Sequence, residues 1–190
     1  MIQTIADLRG KKVAYNKASI SQYLLTKALE SEGLSIDDVQ SVYLVPSDAS
    51  IAFSQGEVDA WVVWDPYFSV AAANGGRVLM DGKGLVSYRS FYLSHPDFVK
   101  EHPEIVQRVI EELQKAGEEV NENPKEAADI LSTATRIPAA VWESVLKKKR
   151  SDAHFMDEAA VADLQQLAAD FLRMGLIEQE ISVHEHVWRP

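Results

Sequence analysis

The sequence contains no cysteine. That absence removes disulfides, zinc–thiolate sites, iron–sulfur clusters and thiol nucleophiles together. It assigns no compartment, because exported chains without cysteine are common. Basic residues are scarce: 19 Lys and Arg stand against 29 Asp and Glu, for a formal net charge of −10 and a pI of about 4.9. Duplex nucleic acid is therefore not an expected partner, since binding it needs a basic face. The one dense basic run, Lys147-Lys148-Lys149-Arg150, reads as a solvated helix end, where cations suit the C-terminal dipole. No apolar run approaches the roughly 20 residues of a membrane span. No export signal is expected either, because Met1-Ile2-Gln3-Thr4 leads straight into Asp7-Leu8-Arg9-Gly10.

Catalytic patterns are equally scarce. There is no G-x-S-x-G elbow and no G-x-x-x-x-G-K-S/T phosphate cradle. The histidines are His95, His102, His154, His184 and His186. His184 and His186 flank Glu185, a weak metal signal, and His102 precedes Pro103 at a helix boundary. Asp59 and Asp65 could pair, but an acidic chain offers such pairs freely. The expectation is a protein that is not an enzyme and carries no cofactor and no metal.

What is present is an ordinary globular composition: 190 residues, 46% hydrophobic and 25% charged. The first half alternates short apolar runs with amphipathic ones. Lys12-Val13-Ala14-Tyr15 reads as a strand, Ser19 to about Glu32 as a helix closed by Gly33, and Ser41 to Val45 as a second strand. Asp48 is placed to N-cap a helix ending near Gly56. Ala60-Trp61-Val62-Val63-Trp64 reads as a third strand, apolar throughout as in a sheet covered on both faces. Pro66 suits the first turn of the next helix, Arg77 to Met80 a fourth strand, and Ser90 to Ser94 one more. The alternation predicts a parallel, doubly wound α/β sheet. After it the texture becomes helical: Pro103 to Asn121, Pro124 to about Thr133, Pro138 to about Lys148, and Asp157 to Met174, with Gly175 closing the last. The expected domains are an α/β ligand-binding lobe over 1–90 and a helical half over 91–190.

Ligands of open α/β sheets bind beyond the carboxyl ends of the strands, which singles out three loops. The first is Asn16-Lys17-Ala18-Ser19-Ile20-Ser21. Free amides at the helix start and the hydroxyls of Ser19 and Ser21 suit an anionic oxygen, and Lys17 adds attraction. The plain alternative is that Ser19 simply caps the helix. In the second loop, Pro46-Ser47-Asp48-Ala49, Asp48 would repel an anion. In the third, Trp64 at the strand end is the better tryptophan to face a cleft, because Trp61 lies three residues away and strand side chains alternate. The Trp64 ring can hold an alkyl chain and donate one hydrogen bond. Asp65 caps the next helix, meets a ligand amine or fixes the loop.

These residues resemble a known family. Asp7-Leu8-Arg9-Gly10-Lys11-Lys12-Val13-Ala14, Asn16-Lys17-Ala18-Ser19 and above all Val58-Asp59-Ala60-Trp61-Val62-Val63-Trp64-Asp65-Pro66-Tyr67 are similar to the sulfonate, taurine and nitrate solute-binding proteins of ABC importers. Phe91-Tyr92-Leu93, His102-Pro103-Glu104 and Val187-Trp188 fit as well. The resemblance is greatest to aliphatic-sulfonate-binding proteins and runs from about Asp7 to Trp188. It implies a type II periplasmic-binding-protein fold: one parallel doubly wound lobe here, with C-terminal helices of a second lobe that is truncated. The implied ligand is an alkanesulfonate held in an interlobe cleft for sulfur acquisition, and the implied partner is an ABC permease. The resemblance implies a periplasmic or extracytoplasmic location, whereas the expectation for the chain as written is a cytoplasmic one.

The resemblance places Ser19, Ile20, Ser21, Lys17, Trp64 and Asp65 on the ligand side. Relatives commonly have glycine where this chain has Ala18, and a methyl there restricts backbone approach to an oxyanion. Set against the family pattern, the sequence is expected to lack the export signal and most of the first lobe. The expectation is therefore weak or absent sulfonate binding by this chain alone, and a possible homodimer through the face left by the missing lobe. Other readings are a nitrate, taurine or vitamin-precursor binding protein, or a cytoplasmic ligand-sensing domain of a transcription regulator.

Overall fold

The computed structural model describes residues 2–189. The chain divides into two compact units, Met1–Tyr88 and Arg89–Pro190.

The first unit is built on a parallel sheet in the order β2-β1-β3, with β1 Lys12–Tyr15, β2 Gln40–Tyr43 and β3 Ala60–Trp61. Tyr15 stands opposite Tyr43, and Ala14 lies between Val42 and Trp61. The central strand is sealed on both faces, with Val13, Ala14 and Tyr15 all at 0% exposure. Val13 and Tyr15 join Leu25, Ala28 and Leu29 of α1 (Ile20–Ser31), and Ala60 and Val62 pack on the same cluster. Ala14 instead meets Ala49 and Ala52 of α2 (Pro46–Ser54), with Phe53 and Trp61 against them. Successive strand residues therefore feed opposite layers, as the pleat requires, and the apolar run of β3 is explained by cover on both sides.

Local chemistry sets the helix limits. Ser19 is the N-cap of α1: its backbone is extended and its side chain accepts the Ser21 N–H. At the other end Gly33 adopts φ +68°. Leu34 N–H donates to Leu29 O at 2.9 Å and Gly33 N–H to Glu30 O at 3.1 Å. That paired pattern needs a left-handed residue, and it docks Leu34 onto Leu29.

Several expectations are corrected. Asp48 does not N-cap α2; Val45 holds the cap and Pro46 the first helical position, because the fixed φ of proline starts the helix three residues earlier. The third strand pairs over Ala60 and Trp61 only. Arg77 to Met80 forms no strand. Leu79 packs on the core while Val78 and Met80 stay exposed, so the alternation is that of a strand, but no neighbouring strand completes a ladder among the described residues. Ser90 to Ser94 likewise forms no strand, and Leu93 is 93% exposed.

The second unit is helical: α4 Pro96–Glu101, α5 Pro103–Glu122, α6 Pro124–Thr135, α7 Ala139–Lys148 and α8 Glu158–Arg173. Proline opens α4, α5 and α6 at the first turn. The short α4 is not anticipated by the periodicity, and His102 both ends it and begins α5. Polar clamps tie the helices to loops. Asn121 donates to Ser151 O at 2.7 Å and accepts from Ser151 N–H at 2.8 Å. Gly117 allows that approach, since a Cβ there would stand 3.1 Å from Ser151 O. Trp142 Nε1 donates to Thr135 Oγ1 at 2.8 Å, joining α7 to the end of α6.

Candidate functional site

Three loops leave the carboxyl ends of β1, β2 and β3, and the loop after β1 carries the densest network. Ser19 Oγ donates to Asn16 O at 2.6 Å and lies 2.8 Å from Ser21 Oγ. Asn16 N–H donates to Ser21 Oγ at 3.1 Å. Each hydroxyl has one proton, so both are engaged within the loop, Ser19 on Asn16 O and Ser21 on Ser19 Oγ or Asn16 O. The hydroxyls thus shape the loop, and the outward donors are amides. Tyr23 N–H donates to Ser19 O and Ser21 N–H to Ser19 Oγ, while the N–H groups of Ile20 and Gln22 meet no acceptor among the described residues. Free amides at a helix start, with roughly half a positive charge from the macrodipole, suit an anion.

Ala18 lies in the left-handed region at φ +52°, a conformation that costs a residue with a Cβ of order 1 kcal/mol or more. It is held there from one side chain: Ala18 N–H donates to Gln22 Oε1 at 2.7 Å. Gln22 is itself only 6% exposed. It is the residue that sequence reasoning missed, although a signal existed. Ser19-Ile20-Ser21-Gln22 fits the S-x-x-Q capping-box pattern. Here the Gln22 side chain reaches one residue further back than that pattern, to Ala18.

Lys17 Nζ stands 5.4 Å from the centroid of the Tyr43 ring, within cation–π range. Tyr43 in turn meets Tyr15 edge-on, with centroids 5.3 Å apart. Tyr15 OH donates to Ser41 Oγ at 2.8 Å, and burial pushes its phenol up to about 12.

Trp64 and Asp65 follow β3, and both are half-buried. Asp65 Oδ1 accepts from Ser69 N–H at 3.1 Å and Ser69 Oγ at 2.5 Å, so its carboxylate serves the first turn of α3 (Tyr67–Ala73). Trp61 packs on Phe53 and Tyr67, at 6.1 and 6.4 Å between ring centroids. Burial, with the Asp65 charge second, holds the Tyr88 phenol above its ordinary range. Ser19, Ile20, Ser21 and Lys17 thus share one loop and helix start, and Trp64 and Asp65 lie after β3 of the same sheet.

The helical unit offers a groove of ≈ 460 Å³ lined by Glu122, Glu126, Asp129 and Glu143 with Lys125 and Lys147. Four carboxylates make it a poor seat for an anion. No group of His, Asp or Glu among the described residues is arranged to hold a metal, and no helix of the described residues is long and apolar enough to cross a membrane.

A profile of the family described as NMT1/THI5 like matches residues 1–127. The chain is 38% identical over 191 residues to a putative aliphatic sulfonates-binding protein of Escherichia coli, covering all of this chain and 60% of that protein. It superposes on the crystal structure of the periplasmic aliphatic sulphonate binding protein from Escherichia coli with a TM-score of 0.92 and 36% identity, over 100% of this chain and 62% of the other. The alkanesulfonate-binding protein from Xanthomonas axonopodis pv. citri, bound to MOPS, gives a TM-score of 0.92 and 31% identity, over 100% and 66% of the two chains. The chain therefore spans about 60% of the length of the relatives it matches.

Proposed function

The chain belongs to the NMT1/THI5-like family, and from that premise we propose that it acts in the uptake of aliphatic sulfonates, as a solute-binding component of an ABC importer rather than an enzyme. The observation that carries this reading is the full-chain likeness to aliphatic-sulfonate-binding proteins at a TM-score of 0.92. The chemistry of the β1–α1 loop agrees with it. A sulfonate is a permanent anion with weakly basic oxygens, so it needs donors and no proton transfer. The amides of Ile20 and Gln22 supply donors, Ser19 and Ser21 hold the loop that aims them, and Lys17 adds a positive rim. Trp64 offers apolar surface to the alkyl tail, and Asp65 fixes the loop that carries it. A binding role rather than catalysis is supported by the similar proteins, which are named as sulfonate-binding proteins.

In this reading a second lobe closes over the ligand by hinge motion, and the closed form is what a membrane permease receives outside the cytoplasm. Small ligands are held by burial of most of their surface, so the donor shelf alone gives weak affinity. The exposed apolar residues of the helical unit, Ile105, Val109 and Ile130 among them, support self-association of the chain, with concentration-dependent mass in light scattering as its expected sign.

A thermal-shift titration with ethanesulfonate, longer alkanesulfonates, taurine, nitrate and sulfate tests the assignment. A ligand at 100 times its dissociation constant adds about 2.7 kcal/mol of stability. The expected result is a saturable shift with alkanesulfonates that exceeds the shift with nitrate or sulfate. A shift confined to nitrate, or one equal for every anion, would contradict it.

A further inference from the structure

We infer that Gln22 is a ligand-contacting, specificity-determining residue whose side-chain amide donates to the bound anion beside the α1 amides; this rests on the sulfonate reading above. The amide orientation follows from its neighbour. Ala18 N–H is a donor and points at the Gln22 carboxamide at 2.7 Å, so the atom facing it is the oxygen. Nε2, on the same carbon, then points away from Ala18 with two protons, and neither finds an acceptor among the described residues.

Gln22 is 6% exposed, and an unpaired amide in such a position is costly unless something outside the chain meets it. Thr26 Oγ1 is the only side-chain polar atom of the described residues that is both sealed from solvent and unpartnered. The Gln22 Nε2 atom therefore keeps an opening to solvent. Gln22 occupies the third position of α1, after Ser19 at the N-cap. Its own backbone N–H and that of Ile20 are the unused donors of that turn. Main-chain and side-chain donors thus share one helix start, and the side chain is buried, oriented by Ala18 and without a partner for Nε2 among the described residues.

The donor set is neutral, and this assigns a preference. Amide donors suit a monoanion such as a sulfonate, whose charge is single and permanent. A dianion of the same shape would bring twice the charge to amides that share about half a unit from the helix dipole, with the Lys17 ammonium the one cation of the loop.

The test separates donation from the structural hold on Ala18. In Gln22→Glu one carboxylate oxygen still accepts the Ala18 N–H, while the other replaces a donor with a negative acceptor. The expected result is a protein with an unchanged melting temperature and an Ala18 amide that stays hydrogen-bonded, but about tenfold or more weaker ethanesulfonate affinity at pH 7. Affinity should recover only as the pH falls below about 4.3, because the protonated carboxyl regains a donor while the Ala18 N–H and the helix start hold that carboxyl below its free value. The unmodified protein should show no such rise. Gln22→Met removes donor and acceptor together, so it should also move the Ala18 amide resonance.

Equal ethanesulfonate affinity in Gln22→Glu and the unmodified protein, with no pH dependence, would overturn the role of Gln22. So would a loss in Gln22→Glu that is accompanied by the Ala18 shift of Gln22→Met and shows no recovery in acid. If the unmodified protein responds to nitrate or sulfate and not to ethanesulfonate, the sulfonate reading fails while the same comparison on the responding anion still decides Gln22. If it responds to no anion, both fall.

Discussion

The two units solve the problem of burial differently. In Met1–Tyr88 a central strand is sealed on both faces, and two apolar clusters close around it. Large side chains disappear completely there: Tyr15 and Leu29 are at 0% exposure. In Arg89–Pro190 the buried apolar residues are Val99, Ala128, Ala160, Val161 and Val183, all small or medium. Ile105 and Val109 of α5 stay 44% and 50% exposed, on a helix whose apolar stripe is clear in the sequence. A sheet between two helical layers completes its own core. The helical unit relies more on polar clamps to backbone, such as Asn121 on Ser151 and Gln165 between Ile181 and Val183. The amide donors of the β1–α1 turn sit on the unit with the closed core.

Substitutions sharpen that contrast. The largest effect is expected from Leu29→Ala, which opens a cavity in the first cluster and should cost about 2–5 kcal/mol in urea unfolding. The matching change in the helical unit, Val109→Ala, should alter stability by no more than about 0.5 kcal/mol. A loss comparable to that of Leu29→Ala would show that α5 is covered in solution. Between these lies Asn121→Ala, which strips both hydrogen bonds from the Ser151 backbone and should cost about 1–3 kcal/mol. Asp157→Ala removes the side-chain cap that accepts Ala160 N–H at 2.7 Å, for about 1 kcal/mol.

The smallest effect is one of pH. Backbone N–H bonds from Gln3 and Thr4 hold Asp7 below the usual carboxylate value, and the Ser35 N–H does the same for Asp38. A carboxylate depressed in the folded state stabilises above its unfolded value and loses that contribution as pH falls through the folded one. Melting temperature should therefore drop slightly on acidification below about pH 4, and Asp7→Asn should flatten part of that drop.

Much of this architecture was legible from residue types. Ser19 and Gly33 mark the two ends of α1 because a cap and a left-handed turn are local requirements, and prolines mark the starts of α5 and α6 for the same reason. What failed was nonlocal. Arg77 to Met80 and Ser90 to Ser94 have strand-like texture, but a strand exists only where another pairs with it. The site divides along the same line. Ser19 as a cap and Asp65 as a helix-serving carboxylate follow from local spacing. The Lys17 ammonium over Tyr43 joins residues from separate loops, which no spacing rule reveals. Gln22 lay within reach of a short-range rule, the S-x-x-Q pattern, yet its contact with Ala18 depends on a left-handed backbone that alanine rarely adopts.

The central claim is that anion recognition resides in the β1–α1 turn of the α/β unit. Its most direct test is a residue-resolved amide NMR titration of the chain with ethanesulfonate. The account predicts saturable shifts at Ile20, Gln22 and their neighbours from Asn16 to Tyr23, with the lining of the acidic groove, Glu122 to Asp129 and Glu143, unmoved. Shifts centred on the helical unit, or none at the β1–α1 turn at ligand concentrations that stabilise the protein, would contradict it.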